Sequence, residues 1–170
     1  MNLMSSSSLF AGEWIVLQKR YTRSSQKPFL EKDQFTIPAR YANTDFTLEL
    51  KNGDAQDKHR VVSGIVTLNE KSIILTNEFS QKQKIITKII ELKESNLLEV
   101  ELRGKPECWI ELRIFKWIPD PVINEFSAAP ATLNYTEESL LSWNIGYADL
   151  VTISTIGAVP SIGSQWVETS

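Results

Sequence analysis

Short runs of alternating apolar and polar residues dominate the chain. Phe46, Leu48 and Leu50 alternate with Thr47 and Glu49, and Leu98, Val100 and Leu102 with Glu99, Glu101 and Arg103. Ile110, Leu112 and Ile114 alternate with Trp109, Glu111 and Arg113. Successive side chains of a strand point to opposite faces, so a period of two puts one set on a core and the other toward solvent. The same pattern predicts strands over 13–21, 34–37, 61–68 and 72–75. Asn52-Gly53 and the run 68–71 read as tight turns. Gly104-Lys105-Pro106-Glu107 separates two alternating runs, which predicts a β-hairpin over 98–114.

One stretch resists the pattern. Ile85, Ile86, Ile89 and Ile90 have helical spacing. Four isoleucines beside Thr87 are stiff at χ1 and pack well on a pleated surface, so a strand is expected over 82–92. Further on, Trp117-Ile118-Pro119-Asp120-Pro121 marks a boundary, because proline removes backbone donors and favours an extended joint. Short strand-like runs at 122–126, 140–145 and 150–156 follow it, separated by Pro130, Gly146 and the Gly157 to Pro160 region. The fold expected is all-β: an antiparallel β-sandwich of jelly-roll or immunoglobulin-like type over residues 1–118, then a partial immunoglobulin-like sandwich over 119–170.

Composition narrows the function classes. The chain is 42% hydrophobic and 23% charged, too apolar for intrinsic disorder. A net charge of -3 supplies no basic excess for a phosphate backbone, so nucleic acid is not expected as a partner. The single cysteine, Cys108, excludes an intrachain disulfide. No apolar run reaches the roughly 20 residues of a membrane span, so no membrane insertion is expected. Residues Met1 to Phe10 carry four serines and lack the basic and apolar regions of a signal peptide.

Beyond the boundary, the chain runs through Ile123 and Phe126, Ala129-Pro130-Ala131-Thr132, and ESLLSWN from Glu138 to Asn144. It continues through Ala148-Asp149 with Val151-Thr152-Ile153, and IGAVPSIGS from Ile156 to Ser164. Pro121 to Val167 in this order resembles the bacterial immunoglobulin-like repeats of secreted and surface proteins. The first segment resembles a module that often precedes such repeats, through Tyr21-Thr22-Arg23, Lys27-Pro28, Phe46 to Gly53, Val61 to Asn69 and Asn96 to Pro106. Glu107-Cys108-Trp109 departs from the small residues usual after its Lys-Pro turn. The resemblance implies an extracellular or cell-surface location, Trp143 in a core, and neighbouring domains of the same longer chain as partners. It also implies late strands beyond Val167, so the second domain is expected to be incomplete and the chain a fragment.

Candidate chemistry is sparse. The only histidine, His59, lies in a polar loop and reads as exposed; no serine sits in a nucleophile elbow, and nothing in the spacing supports a Cys108/His59 pair. One Cys and one His are too few for zinc. Asn52, Asp54 and Asp57 cluster in one loop as a weak calcium candidate without EF-hand spacing. No Gly-rich phosphate cradle is present, and no cofactor is expected. Trp109 stands out, because alternation places it on a polar face with Glu111, Arg113 and Phe115, where an aromatic ring stacks on a sugar or packs under another segment. Trp117 falls at the boundary, where packing between the domains is expected.

The primary expectation is a non-catalytic structural or interaction module with an adhesion, spacer or presentation role. The alternative is a carbohydrate-binding module using Trp109, Glu111 and Arg113, with a glycan or protein as the bound partner. An enzyme ranks below both. A lipocalin-like carrier, suggested by Phe10-Ala11-Gly12-Glu13-Trp14, conflicts with the boundary and with the family pattern.

Overall fold

The computed structural model describes residues 12–24, 29–56, 58–132, 134, 137–148, 150–154 and 156–168. The expectations for Met1 to Phe10, Ala11, Lys27-Pro28, Asp57 and Asp149 lie outside these residues. Backbone contacts divide the chain between Lys116 and Trp117, giving one unit over Glu13–Lys116 and another built from Trp117 onward.

The first unit holds β1 (Gly12–Thr22), β2 (Phe29–Thr36), β3 (Asp45–Asn52), β4 (Ser63–Leu68), β5 (Lys71–Ile74), β6 (Ile85–Glu91), β7 (Ser95–Arg103) and β8 (Trp109–Ile118). One sheet has the order β1-β8-β3-β6 and the other β2-β7-β4-β5. The pairs β2–β7, β3–β6, β3–β8, β4–β5 and β4–β7 are antiparallel. Eight strands wound in this double Greek-key order are a jelly roll. The order also excludes the up-and-down barrel of a lipocalin-like carrier, where strands adjacent in sequence pair throughout.

The helix-spaced isoleucine stretch is strand β6, as its β-branched content predicts. The turn at 68–71 joins β4 to β5, with Asn69 and Glu70 both at positive φ as a tight hairpin of this kind requires. The expected hairpin over 98–114 is not formed. β7 pairs with β2 and β4, whereas β8 pairs with β3 and lies beside β1 in the opposite sheet. Alternation marks only which residues face the core. A hairpin and a crossing between sheets bury the same positions, so the local pattern cannot tell them apart.

The core lies between the sheets. Leu98, Val100 and Leu102 from one sheet and Ile110, Leu112 and Ile114 from the other are fully buried, with Leu48, Leu50 and Val66. This interior is mainly aliphatic, with Tyr21, Phe46 and Phe79 as its buried aromatic residues. At one margin Tyr21 donates a hydrogen bond to Asp33 (2.7 Å), and Lys19 pairs with Glu31 and Asp33. Glu31 and Asp33 stand in register with Val100 and Leu98, so these carboxylates belong to the inner face of edge strand β2. Burial, then the bond to Asp33, pushes the Tyr21 hydroxyl far above its ordinary range.

The second unit contains β9 (Val122–Ala129), β10 (Glu138–Gly146), β11 (Val151–Ile153), β12 (Gly157–Val159) and β13 (Ile162–Glu168). β10 is central in a three-stranded sheet β13-β10-β9, and β11 pairs with β12. Trp143 lies opposite Gly163 and Phe126. It is buried, and its indole Nε1 donates to the Pro160 carbonyl (2.9 Å). Gly163 is its socket, since a Cβ there would stand 2.8 Å from the indole ring. Trp117 is 68% exposed.

Leu102→Ala should cost about 2–5 kcal/mol through lost burial and a residual cavity. Urea unfolding followed by tryptophan fluorescence checks this, and a loss below about 0.5 kcal/mol would contradict the inward placement of Leu102.

Candidate functional site

β8 carries the predicted residues to the outer face of its sheet. Lys51 opposes Glu111, Glu49 opposes Arg113, and Thr47 opposes Phe115. Directly opposed residues share a face, so Trp109, Glu111, Arg113 and Phe115 form one outward row, as alternation predicts. β1 borders this row. Gln18 donates to Glu111 (3.2 Å), Arg20 Nη2 donates to its other oxygen (3.3 Å), and the Arg20 guanidinium lies 4.0 Å from the centroid of Trp109. Arg113 donates to Glu13 (2.9 Å) and pairs with Glu49 (3.2 Å), with its guanidinium 4.9 Å from the Phe115 ring. The bonds from Gln18 and then Arg20 hold the Glu111 carboxyl below its ordinary range against partial burial.

Trp109, Glu111 and Arg113 are thus brought together, but the Glu111 carboxylate, the Arg113 guanidinium and a face of the Trp109 ring are engaged by β1 and β3. Glu13, Gln18, Arg20 and Glu49 complete the cluster and were missed by the sequence reading. Their signal was present as polar positions of alternating strands. What was missing is the pairing of β1 with β8, which joins segments some ninety residues apart in the chain (|i−j| of 91 to 100 for the three side-chain bonds).

The loop candidates are separated by task. Asn52 is buried, accepts from the Val61 N–H (2.8 Å) and donates to the Val61 carbonyl (2.9 Å). Its oxygen serves the fold, which removes it from the weak calcium set. Asp54 accepts from the Lys58 N–H (2.7 Å) and contacts His59 Nδ1 (3.0 Å), and the His59 bond holds its carboxyl below the ordinary range. Asp57 lies outside the described residues. Among those residues, no three His, Cys, Asp or Glu side chains are grouped to hold a metal ion.

His59 lies beside the start of β8, where the Trp109 N–H donates to the His59 carbonyl (2.9 Å), and the neighbouring Cys108 carbonyl accepts from the Arg23 N–H (2.9 Å). The side chains of His59 and Cys108 serve different ends. The imidazole faces Asp54, while Cys108 packs against the core and burial pushes its thiol up. A nucleophilic cysteine needs the opposite shift. Arg60 is buried nearby and donates to the carbonyls of Asn52 (3.2 Å) and Gln83 (3.0 Å), tying this loop to the chain entering β6.

At the opposite margin of the sandwich, a cleft of about 470 Å³ opens between the edges of β5 and β6, lined in part by Asn69, Lys71, Ile73 and Ile89. Among the described residues no helix is long and apolar enough to cross a membrane. No family model, curated protein or solved structure matches the chain. Its class is defined by strand order: an all-β jelly-roll sandwich followed by a second all-β unit.

Asn52→Ala should destabilise the protein by about 1–3 kcal/mol, because it leaves the buried Val61 groups unpaired. Asp54→Ala should shift the melting temperature far less, and millimolar calcium should not raise the melting temperature of the wild type; scanning calorimetry reads all three. The Glu111 interactions have a defined pH sign. A carboxyl whose pKa is depressed by folding contributes stability above its unfolded pKa of about 4.3, and that contribution is lost as pH falls through the folded value. Urea midpoints measured from pH 6 down to pH 3 should fall more steeply in the wild type than in Glu111→Gln.

Proposed function

We propose that the chain is a non-catalytic interaction module of a bacterial surface or secreted protein, in which the jelly roll precedes an immunoglobulin-like unit that contacts a partner. The observation that carries this reading is the Trp143 face of the second unit. Register places Ile123 with Ile145, and Phe126 with Trp143, on that face. Ile123 is 69% and Phe126 57% exposed. Grouped apolar side chains left open on a sheet mark an interaction surface. The resemblance of 121–167 to bacterial immunoglobulin-like repeats adds support, and the all-β character of this unit is compatible with it.

The carbohydrate-binding reading is weaker. A sugar stacking on the face of Trp109 that Arg20 covers must displace the guanidinium, giving up a cation–π contact of about 0.5–1 kcal/mol and disturbing the bond to Glu111.

Selection of a phage-displayed random peptide library on the immobilised chain, with a glycan array in parallel, tests the two readings. The expected outcome is peptides that bind the wild type and Trp109→Ala equally and lose at least tenfold in affinity for the double variant Ile123→Ser, Phe126→Ser. Array signals abolished by Trp109→Ala would favour the glycan reading. Binders indifferent to all of these substitutions would overturn the assignment of the Trp143 face.

A further inference from the structure

The two margins of the jelly roll are protected differently. Lys19 and Tyr21 of β1 reach Glu31 and Asp33 of β2, so side chains lace that margin shut. At the other margin β5 is only four residues long, which itself blunts an edge. β6 is seven residues long, contains no proline, shows no register shift against β3, and has no second neighbour among the described strands. Ile85 and Ile89 on its outer side are 52% and 67% exposed. A regular edge of this length is a template for another strand.

The sequence of this edge is complementary to itself. Antiparallel pairing about a two-fold axis through Thr87 sets Ile85 against Ile89 of the other copy, Thr87 against Thr87, and Gln83 against Glu91. The first two are an apolar β-branched pair and a hydroxyl pair, both favourable across a sheet face, and at the third the Gln83 amide already donates to the Ile85 carbonyl of its own copy. Shifting the axis to Ile86 or Lys88 sets Ile85 against Thr87 or against Glu91. Charge also selects the direction. The head of the segment carries Lys82 and Lys84, and its tail carries Glu91 and Glu94 with Lys93 between them, so antiparallel pairing brings a net positive head beside a net negative tail and parallel pairing opposes like ends. An inward lysine is a common guard of a sheet edge. Here Lys88, in register with buried Leu48, is held by Glu78.

We propose that β6 is a homodimerisation edge, joining two copies of the chain through an antiparallel β6–β6 pair centred on Thr87 and extending the β1-β8-β3-β6 sheet across the two-fold axis. Thr87 is exposed on the outer side, so substitution there changes the interface without touching the core.

Light scattering coupled to size exclusion reads the mass of the whole chain over a concentration series. The wild type should move from 19.3 kDa toward twice that mass as concentration rises. Thr87→Lys and Thr87→Glu should each weaken self-association at least tenfold, because the axis places like charges together, and an equimolar mixture should recover the doubled mass. In a Cys108→Ser background, Thr87→Cys should form an intermolecular disulfide on mild oxidation, whereas Thr47→Cys, which lies on β3, should not. A wild type that stays at 19.3 kDa up to millimolar concentration would overturn the proposal. So would a dimer indifferent to charge at Thr87, or charge variants that do not restore each other while circular dichroism shows them folded.

Discussion

The architecture of the first unit depends on the chain changing sheets between Arg103 and Trp109. Only that crossing lets the aliphatic faces of β7 and β8 meet instead of lying side by side in one sheet. The crossing is pinned by backbone bonds. Glu107 donates to the Arg23 carbonyl (2.7 Å), Arg23 donates to that of Cys108 (2.9 Å), Trp109 donates to that of His59 (2.9 Å), and Gly53 donates to that of Trp109 (3.0 Å). The end of β1, the loop before β4 and the end of β3 therefore converge on one short segment. Gly53 has positive φ and no space for a Cβ, which would stand 2.5 Å from the Lys58 carbonyl oxygen, so a side chain there would strain the loop twice over.

At this convergence polar side chains serve the fold. Asn52, Arg60, His59 and Cys108 all lie at or beside the crossing. Buried backbone groups there require partners, and polar side chains supply them where regular sheet pairing stops. Asn52 acts as a short piece of backbone for Val61, and Arg60 gathers two carbonyls. The outward row on β8 follows the same logic in a milder form. Arg20 and Arg113 each combine carboxylate contacts with an aromatic ring, which orders exposed side chains without an enclosed cavity. Exposed ion pairs of this kind add little stability individually.

The two units manage apolar surface differently. The jelly roll buries both inner faces, its β1 and β2 edges are tied to each other by side chains, and β6 is an edge outside that tie. The second unit has a three-stranded and a two-stranded sheet, with Trp143 seated on Gly163, and Ile123, Phe126, Ile162 and Trp166 stay exposed. A jelly roll hosts many unrelated functions, so strand order alone assigns none. The functional reading rests on open surface instead.

The sequence by itself determined the fold class, most strand positions and the facing of each residue, because the side-chain period of a strand is a local property. Leu102, Leu112 and Trp109 fall on the faces that alternation assigns them. It also determined that residues 82–92 hold a strand, through the stiffness of β-branched side chains. Tertiary structure alone decided which strands pair. Hydrogen bonds between strands are made by backbone groups that every residue carries, so partner choice leaves no local mark. That is why the predicted hairpin proved to be a crossing, why Arg20 was not recognised as the cover of Trp109, and why Asn52 turned from a candidate ligand into a bracket for Val61.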